Sequence, residues 1–161
     1  MIPSDHFVRF YNEVFKFLDE KNELEDYYLH ISKHQERHCL KVYSENGIAG
    51  VYEYYLKIRK EENCKMDLEL TEDFLLLRMT GCPSLAKNLD NDAGLCIKYC
   101  DHCPGWALPL AKKAGLKVIK DVMAPDEPQC CSYYFEDLAK AEKKYQELLE
   151  TIPVERLKKN F

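Results

Sequence analysis

Along the first third of the chain, apolar side chains recur every three or four positions. Phe7, Phe10, Tyr11, Val14, Phe15 and Leu18 form one stripe, which predicts an amphipathic helix from about Asp5 to Lys21, capped by Ser4. Glu25 to about Ser44 predicts a second helix, with Tyr28, Ile31, Cys39 and Val42 inward and Asn46-Gly47 ending it. Ile48 to about Glu62 continues as a third helix through Val51, Tyr52, Tyr55 and Ile58. The period then changes. Cys64, Met66, Leu68 and Leu70 alternate with Lys65, Asp67 and Glu69, the pattern of a half-buried strand. A turn at Thr71-Glu72-Asp73 leads to a second strand, Phe74 to Thr80, so the two predict an antiparallel hairpin.

The second strand runs into Gly81-Cys82-Pro83-Ser84, a strand-to-helix junction in which Pro83 suits the first helical position. A short helix from Ser84 to about Leu89 follows, then the polar loop Asn88 to Gly94. Pro104-Gly105 interrupts the next stretch, and Trp106 to Ala114 reads as a helix ended by Gly115. Leu116 to Met123 predicts a third strand, Ala124 to Pro128 a turn, and Gln129 to Phe135 a fourth strand with Cys130 and Cys131 on opposite faces. Glu136 to Glu150 predicts a last helix, and the residues from Thr151 a loosely held tail. These elements predict one α+β domain over residues 1–161. Its helical N-terminal part, 1–62, and its C-terminal helix pack on an antiparallel sheet of about four strands.

Composition narrows the function classes. The chain has 161 residues, of which 32 % are charged and 46 % hydrophobic, with a net charge of −5. These are values of a soluble globular domain. No Lys/Arg patch interleaves with aromatics, which argues against nucleic acid, and the apolar runs are too short to span a bilayer. The opening M-I-P-S-D-H-F-V-R-F has neither a basic n-region nor a continuous apolar stretch, so a cytoplasmic protein acting on a small molecule is the expectation. Eight cysteines in a reducing compartment point to metal binding or catalysis before cross-links.

The chemistry concentrates at Cys96 to Trp106, C-I-K-Y-C-D-H-C-P-G-W, and more widely over residues 80–135. The C-x3-C-x2-C spacing is that of radical S-adenosylmethionine enzymes, but those place it early, with a large barrel after it. Cys100 and Cys103 also match a redox pair, although no βαβ unit precedes them. They can equally serve as zinc ligands, completed from Cys82, Cys131, Cys96 or His102. A further option is a nucleophilic thiolate, Cys82, Cys100 or Cys131, with His102 shuttling protons and Tyr99 and Tyr133 steadying an anion. Cys82 sits near a positive helix end, which favours a thiolate. Elsewhere, His30, His34 and His38 stack at four-residue spacing, but they lack H-E-x-x-H and lie among charged residues, as on a solvated face.

In order along the chain come T-G-C-P at Thr80 to Pro83, Y-C-D-H-C at Tyr99 to Cys103 and C-S-Y-Y-F at Cys131 to Phe135. That order resembles the L-2-amino-thiazoline-4-carboxylate hydrolase-like proteins over roughly residues 70 to 137. The resemblance implies a compact α+β domain and a hydrolase that opens a thiazoline ring with water to give S-carbamoyl-cysteine. It assigns Cys82, Cys100 and Cys131 to the shared site, with His102 and Cys103 as local additions. The expectation is therefore a hydrolase-like enzyme acting on a C–N bond of a small cyclic cysteine-derived substrate. Its catalytic residues would be Cys82, Cys100, His102 and Cys131, and Tyr99, Trp106 and Tyr133 would contact substrate. If zinc is present, Cys82, Cys100, Cys103 and Cys131 would hold it. The alternative is a non-catalytic sensory module binding zinc, an iron–sulfur centre or a small ligand.

Overall fold

The computed structural model describes residues 5–62, 64–90, 94–122 and 129–161. Helix α1 spans Asp5–Glu20 and α2 spans Leu24–Glu61. Gly47 breaks α2 with φ 56° and ψ −140°, a region that only glycine enters without strain. The two arms, 24–46 and 48–61, fold back on each other. The Tyr43 and Tyr54 rings lie 5.8 Å apart, whereas eleven residues of straight helix would separate their backbones by about 16 Å. The division expected at Asn46-Gly47 is therefore present as a helical hairpin.

Helix α1 turns a different face inward from the one its aromatics suggest. Val8 and Phe15 are buried, while Phe7, Phe10 and Tyr11 are exposed. The reason lies in Asn12, which is fully buried between them. Its amide donates to the Gly94 carbonyl at 2.9 Å and accepts the Cys96 N–H at 2.8 Å. A polar residue in the inward stripe holds backbone rather than filling core, so periodicity of apolar residues alone places the stripe off its true centre.

The sheet has five strands: β1 Lys65–Leu70, β2 Leu75–Gly81, β3 Lys117–Val122, β4 Cys130–Phe135 and β5 Leu157–Lys159. Their order is β1-β2-β4-β3-β5, and every pairing is antiparallel. Helices α3 (Pro83–Leu89), α4 (His102–Lys113) and α5 (Leu138–Leu149) complete the domain. One sheet face packs Met66, Leu75, Leu77, Val118 and Tyr134 against α2 and α4. The other face packs Ile119 and Phe135 against Ala141 and Leu148 of α5 and against Leu157. No helix among the described residues is long and apolar enough to cross a membrane. The expected cap Ser4, the strand end at Met123 and the turn Ala124 to Pro128 lie outside the described residues.

The segment after Thr151 is not a loose tail. A 3-10 turn at Val154–Arg156 feeds β5, the fifth strand, which pairs with β3. The Arg156 guanidinium grips both carboxylate oxygens of Asp121 at 2.8 and 2.7 Å. Asn160 accepts the Val118 N–H at 2.8 Å and donates to the carbonyls of Leu116 and Leu108 at 3.0 and 3.2 Å. A three-residue strand is too short to show a period, and these anchors run from side chain to backbone, so hydropathy does not reveal them. Asn160→Ala would strand the Val118 N–H, already a buried position, and should cost about 1–3 kcal/mol. Urea unfolding checks this: a midpoint unchanged from wild type would show that the Asn160 anchor adds nothing to stability.

Candidate thiol site

The site is built where the start of α4 meets the ends of β3 and β4. Helix α4 begins at His102 rather than at Trp106, because Pro104 falls in its first turn, where a missing N–H costs no hydrogen bond. Gly105 then presses against Tyr28 of α2. A Cβ there would lie 2.7 to 2.8 Å from Tyr28 carbons, so the two helices reach this separation only with glycine at that point. Tyr28 also donates its hydroxyl to the Lys98 carbonyl at 3.2 Å, holding the turn that precedes the helix.

A 3-10 turn, Tyr99–Asp101, leads into α4. The His102 ring turns back so that Nδ1 meets the Tyr99 carbonyl. A carbonyl only accepts, so Nδ1 carries a hydrogen and the tautomer is fixed. Nε2 is then left to share a proton with the Cys103 thiol, whose sulfur lies 3.3 Å away. Phe15 and Tyr99 pack against the imidazole, with ring centroids 5.8 and 5.1 Å from it. An orienting carbonyl, an imidazole and a thiol thus lie in sequence along the chain, an arrangement able to activate a thiol.

Across the cavity, Lys120 of β3 projects from the core-facing side of the sheet with only 6 % of its surface exposed. Its ammonium donates to Ser132 Oγ at 2.9 Å, and among the described residues no carboxylate forms a salt bridge with it. The cavity has a volume of about 40 Å³, and Cys82, Cys100, Cys103 and Cys130 all line it together with His102 and Lys120.

The four thiols are not equivalent. Burial pushes each upward. In Cys103 that push is outweighed by the charge and hydrogen bond of His102 and by the charge of Lys120, which bring it down to about 7. The N-terminal end of α4 works in the same direction. Burial lowers the His102 pKa, but the Cys103 charge, its hydrogen bond and the Tyr99 carbonyl together hold it above the ordinary histidine value. Burial, with the neighbouring Cys103 and Cys82, drives Cys100 to about 12. Cys130 reaches about 12 mainly through burial, against the lowering effect of Lys120. Cys82 is the N-cap of α3, its sulfur accepting the Leu85 N–H at 3.4 Å. Cys82 thus sits at the strand-to-helix junction that the sequence indicates, but burial outweighs the helix end and Cys82 stays above the ordinary thiol range.

Of the residues singled out in the sequence, Cys82, Tyr99, Cys100, His102 and Cys103 come together around the cavity. Cys131 does not. It occupies the opposite sheet face, where Arg78 hydrogen-bonds its sulfur, and Cys130 takes the place expected of it. Tyr133 shares that far face and packs against Phe74, and Trp106 packs against the main core, partly buried. Neither lines the cavity, because alternation along β4 and the turn of α4 point them away. Cys131 is therefore not placed to complete a four-ligand set with Cys82, Cys100 and Cys103. Among the described residues, no group of three or more His, Cys, Asp or Glu side chains is arranged to hold a metal ion. Sequence reasoning missed Lys120 and Cys130. A signal for Lys120 exists: the alternation Val118, Lys120, Val122 puts a charge in line with core residues.

Compared with family models, with curated proteins and with solved structures, the chain gives no significant match.

The thiolate fraction of Cys103 should rise through pH of about 7, so its alkylation by iodoacetamide should increase from pH 5 and level off near pH 8. In His102→Gln the lowering charge is lost while burial remains, and the rise should move into or above the ordinary thiol range. Peptide mapping of the alkylated chain at each pH reads both curves. Superimposable profiles would show that His102 does not ionise Cys103.

Proposed function

We propose that the chain is a thiolate-dependent hydrolase acting on a C–N bond of a small planar electrophile. The observation that carries this reading is the Cys103–His102 pair, oriented by the Tyr99 carbonyl and facing a buried ammonium in a narrow cavity. The resemblance at Thr80 to Pro83 and Tyr99 to Cys103 suggests the substrate class, a cyclic cysteine-derived compound of the aminothiazoline type.

The reaction this geometry suits has two halves. Cys103 Sγ adds to the electrophilic carbon, and the developing negative charge is met by the Lys120 ammonium rather than by water. As the C–N bond breaks, the departing nitrogen takes the proton that His102 holds on Nε2. Water then adds to the same carbon, giving a proton to His102, and the carbon–sulfur bond breaks to return the Cys103 thiolate. Net consumption is one water and one C–N bond. The small cavity means that the reacting group enters and the rest of the substrate stays at the mouth.

With 2-aminothiazoline-4-carboxylate as substrate, Cys103→Ser should abolish turnover, and His102→Gln should lower kcat by about 10²–10⁴-fold. Cys131→Ser, on the far sheet face, should retain it. Chromatographic assay for S-carbamoyl-cysteine and free cysteine checks all three. Turnover surviving in Cys103→Ser, with its fold intact by circular dichroism, would remove the reading.

A further inference from the structure

A second chemistry is suggested by what the hydrolytic sequence leaves unused. It employs one thiol, yet three others line the same cavity. A cavity of about 40 Å³ has room for roughly two or three water-sized molecules. It therefore suits a small substrate, or the reacting end of a larger one, at the sulfur. The thiol facing it, Cys103, has an imidazole in contact with its sulfur and a buried ammonium on the same cavity wall. These are the conditions under which a thiolate attacks a peroxide oxygen and the departing oxygen finds a proton.

We propose that this cavity also reduces hydroperoxides, with Cys103 taking the oxygen and Cys100 closing a disulfide with it. In the first step Cys103 Sγ attacks one peroxide oxygen. The S–O bond forms, the O–O bond breaks, and the leaving alkoxide or hydroxide takes a proton from His102. In the second, the Cys100 sulfur attacks the Cys103 sulfur. The S–S bond forms, the S–O bond breaks, and hydroxide leaves as water with the proton of Cys100. Two thiols have lost two electrons, and the peroxide has become an alcohol or water plus one further water. An external dithiol reverses the disulfide by exchange.

Cys100 is the partner because of local geometry. It lies in the 3-10 turn Tyr99–Asp101 that runs directly into α4, three residues before Cys103. The pair spans the join between that turn and α4, and side chains three apart on a helical surface are neighbours, with Cβ atoms about 5–6 Å apart. Cys82 is held by the Leu85 N–H at the head of α3, and Cys130 belongs to β4, whose ladder fixes its backbone. Burial is the main cause of the high Cys100 pKa, and the Cys103 charge adds to it. Oxidation of Cys103 to the neutral sulfenic acid removes that charge, so Cys100 becomes easier to ionise when it is needed.

The test treats the fully reduced chain with one equivalent of hydrogen peroxide at pH 7, quenches by acid and alkylation, and maps peptides. Trypsin cuts after Lys98 and Lys112, so Cys100 and Cys103 fall on one peptide that contains no other cysteine. The expected result is that peptide two hydrogens lighter and unalkylated, formed about tenfold faster than free cysteine reacts under the same conditions. Cys100→Ser should instead accumulate a sulfenic acid at Cys103 that a cyclic 1,3-dione traps. Oxidation no faster than that of free cysteine would overturn the proposal. So would a disulfide linking Cys103 to Cys82 or Cys130. The readout is thiol loss in the wild-type chain, so it stands whether or not the protein hydrolyses any C–N bond.

Discussion

The contact on which the site depends is the one between the Tyr28 ring and Gly105. With a side chain at 105, atoms would lie within 2.8 Å of the ring, and the start of α4 would have to back away from α2. The same tyrosine fixes the turn before the helix through its hydroxyl, and Asn12 fixes the chain at Gly94 and Cys96. Residues 94 to 105 are thus held from α1 and α2 together, by groups that do no chemistry themselves. Only because this stretch is held can the first turn of α4 face β3 and β4, where Lys120 and Cys130 complete the cavity. The N-terminal helices are a clamp as much as a core.

Much of the architecture was legible in the chain. The change from helical to alternating period at Cys64, the Asn46-Gly47 break and the Cys82-Pro83 junction each have a local cause, and each appears within a residue or two of its expected place. The errors have a common source. Hydropathy registers what is apolar, and the missed features are polar groups performing inward tasks: Asn12 in the α1 stripe, Asn160 holding the last strand and Lys120 within β3. The fifth strand and the true face of α1 were hidden for that reason. Pro104 misled in another way, since proline breaks a helix interior yet suits its first turn.

The site region was readable from cysteine density, but the roles within it were not. Cys130 and Cys131 are neighbours in sequence, and strand alternation alone sends one into the cavity and the other to the far face. Which of the two points inward depends on the register of β4 against β2 and β3, a long-range property that no local window contains. Cys103 likewise looks like half of a ligand pair until the His102 ring is seen to turn back on the Tyr99 carbonyl.

The electrostatics of so small a cavity then decide which thiol reacts. A thiolate removed from water is costly unless a cation faces it, and a second one beside it adds like-charge repulsion. The cavity offers one imidazole in contact with sulfur and one ammonium across the gap. Cys103 alone touches the imidazole, and it alone of the four falls below the ordinary thiol range, while Cys82, Cys100 and Cys130 are driven above it. Ionising Cys103 adds to the cost of ionising its neighbours, which burial already raises, so the cluster favours one thiolate over several. Any event that neutralises Cys103, whether bonding to carbon or to oxygen, lifts that cost. Burial remains the larger obstacle to ionising the other three, so neutralising Cys103 eases a second ionisation without bringing it into the ordinary thiol range.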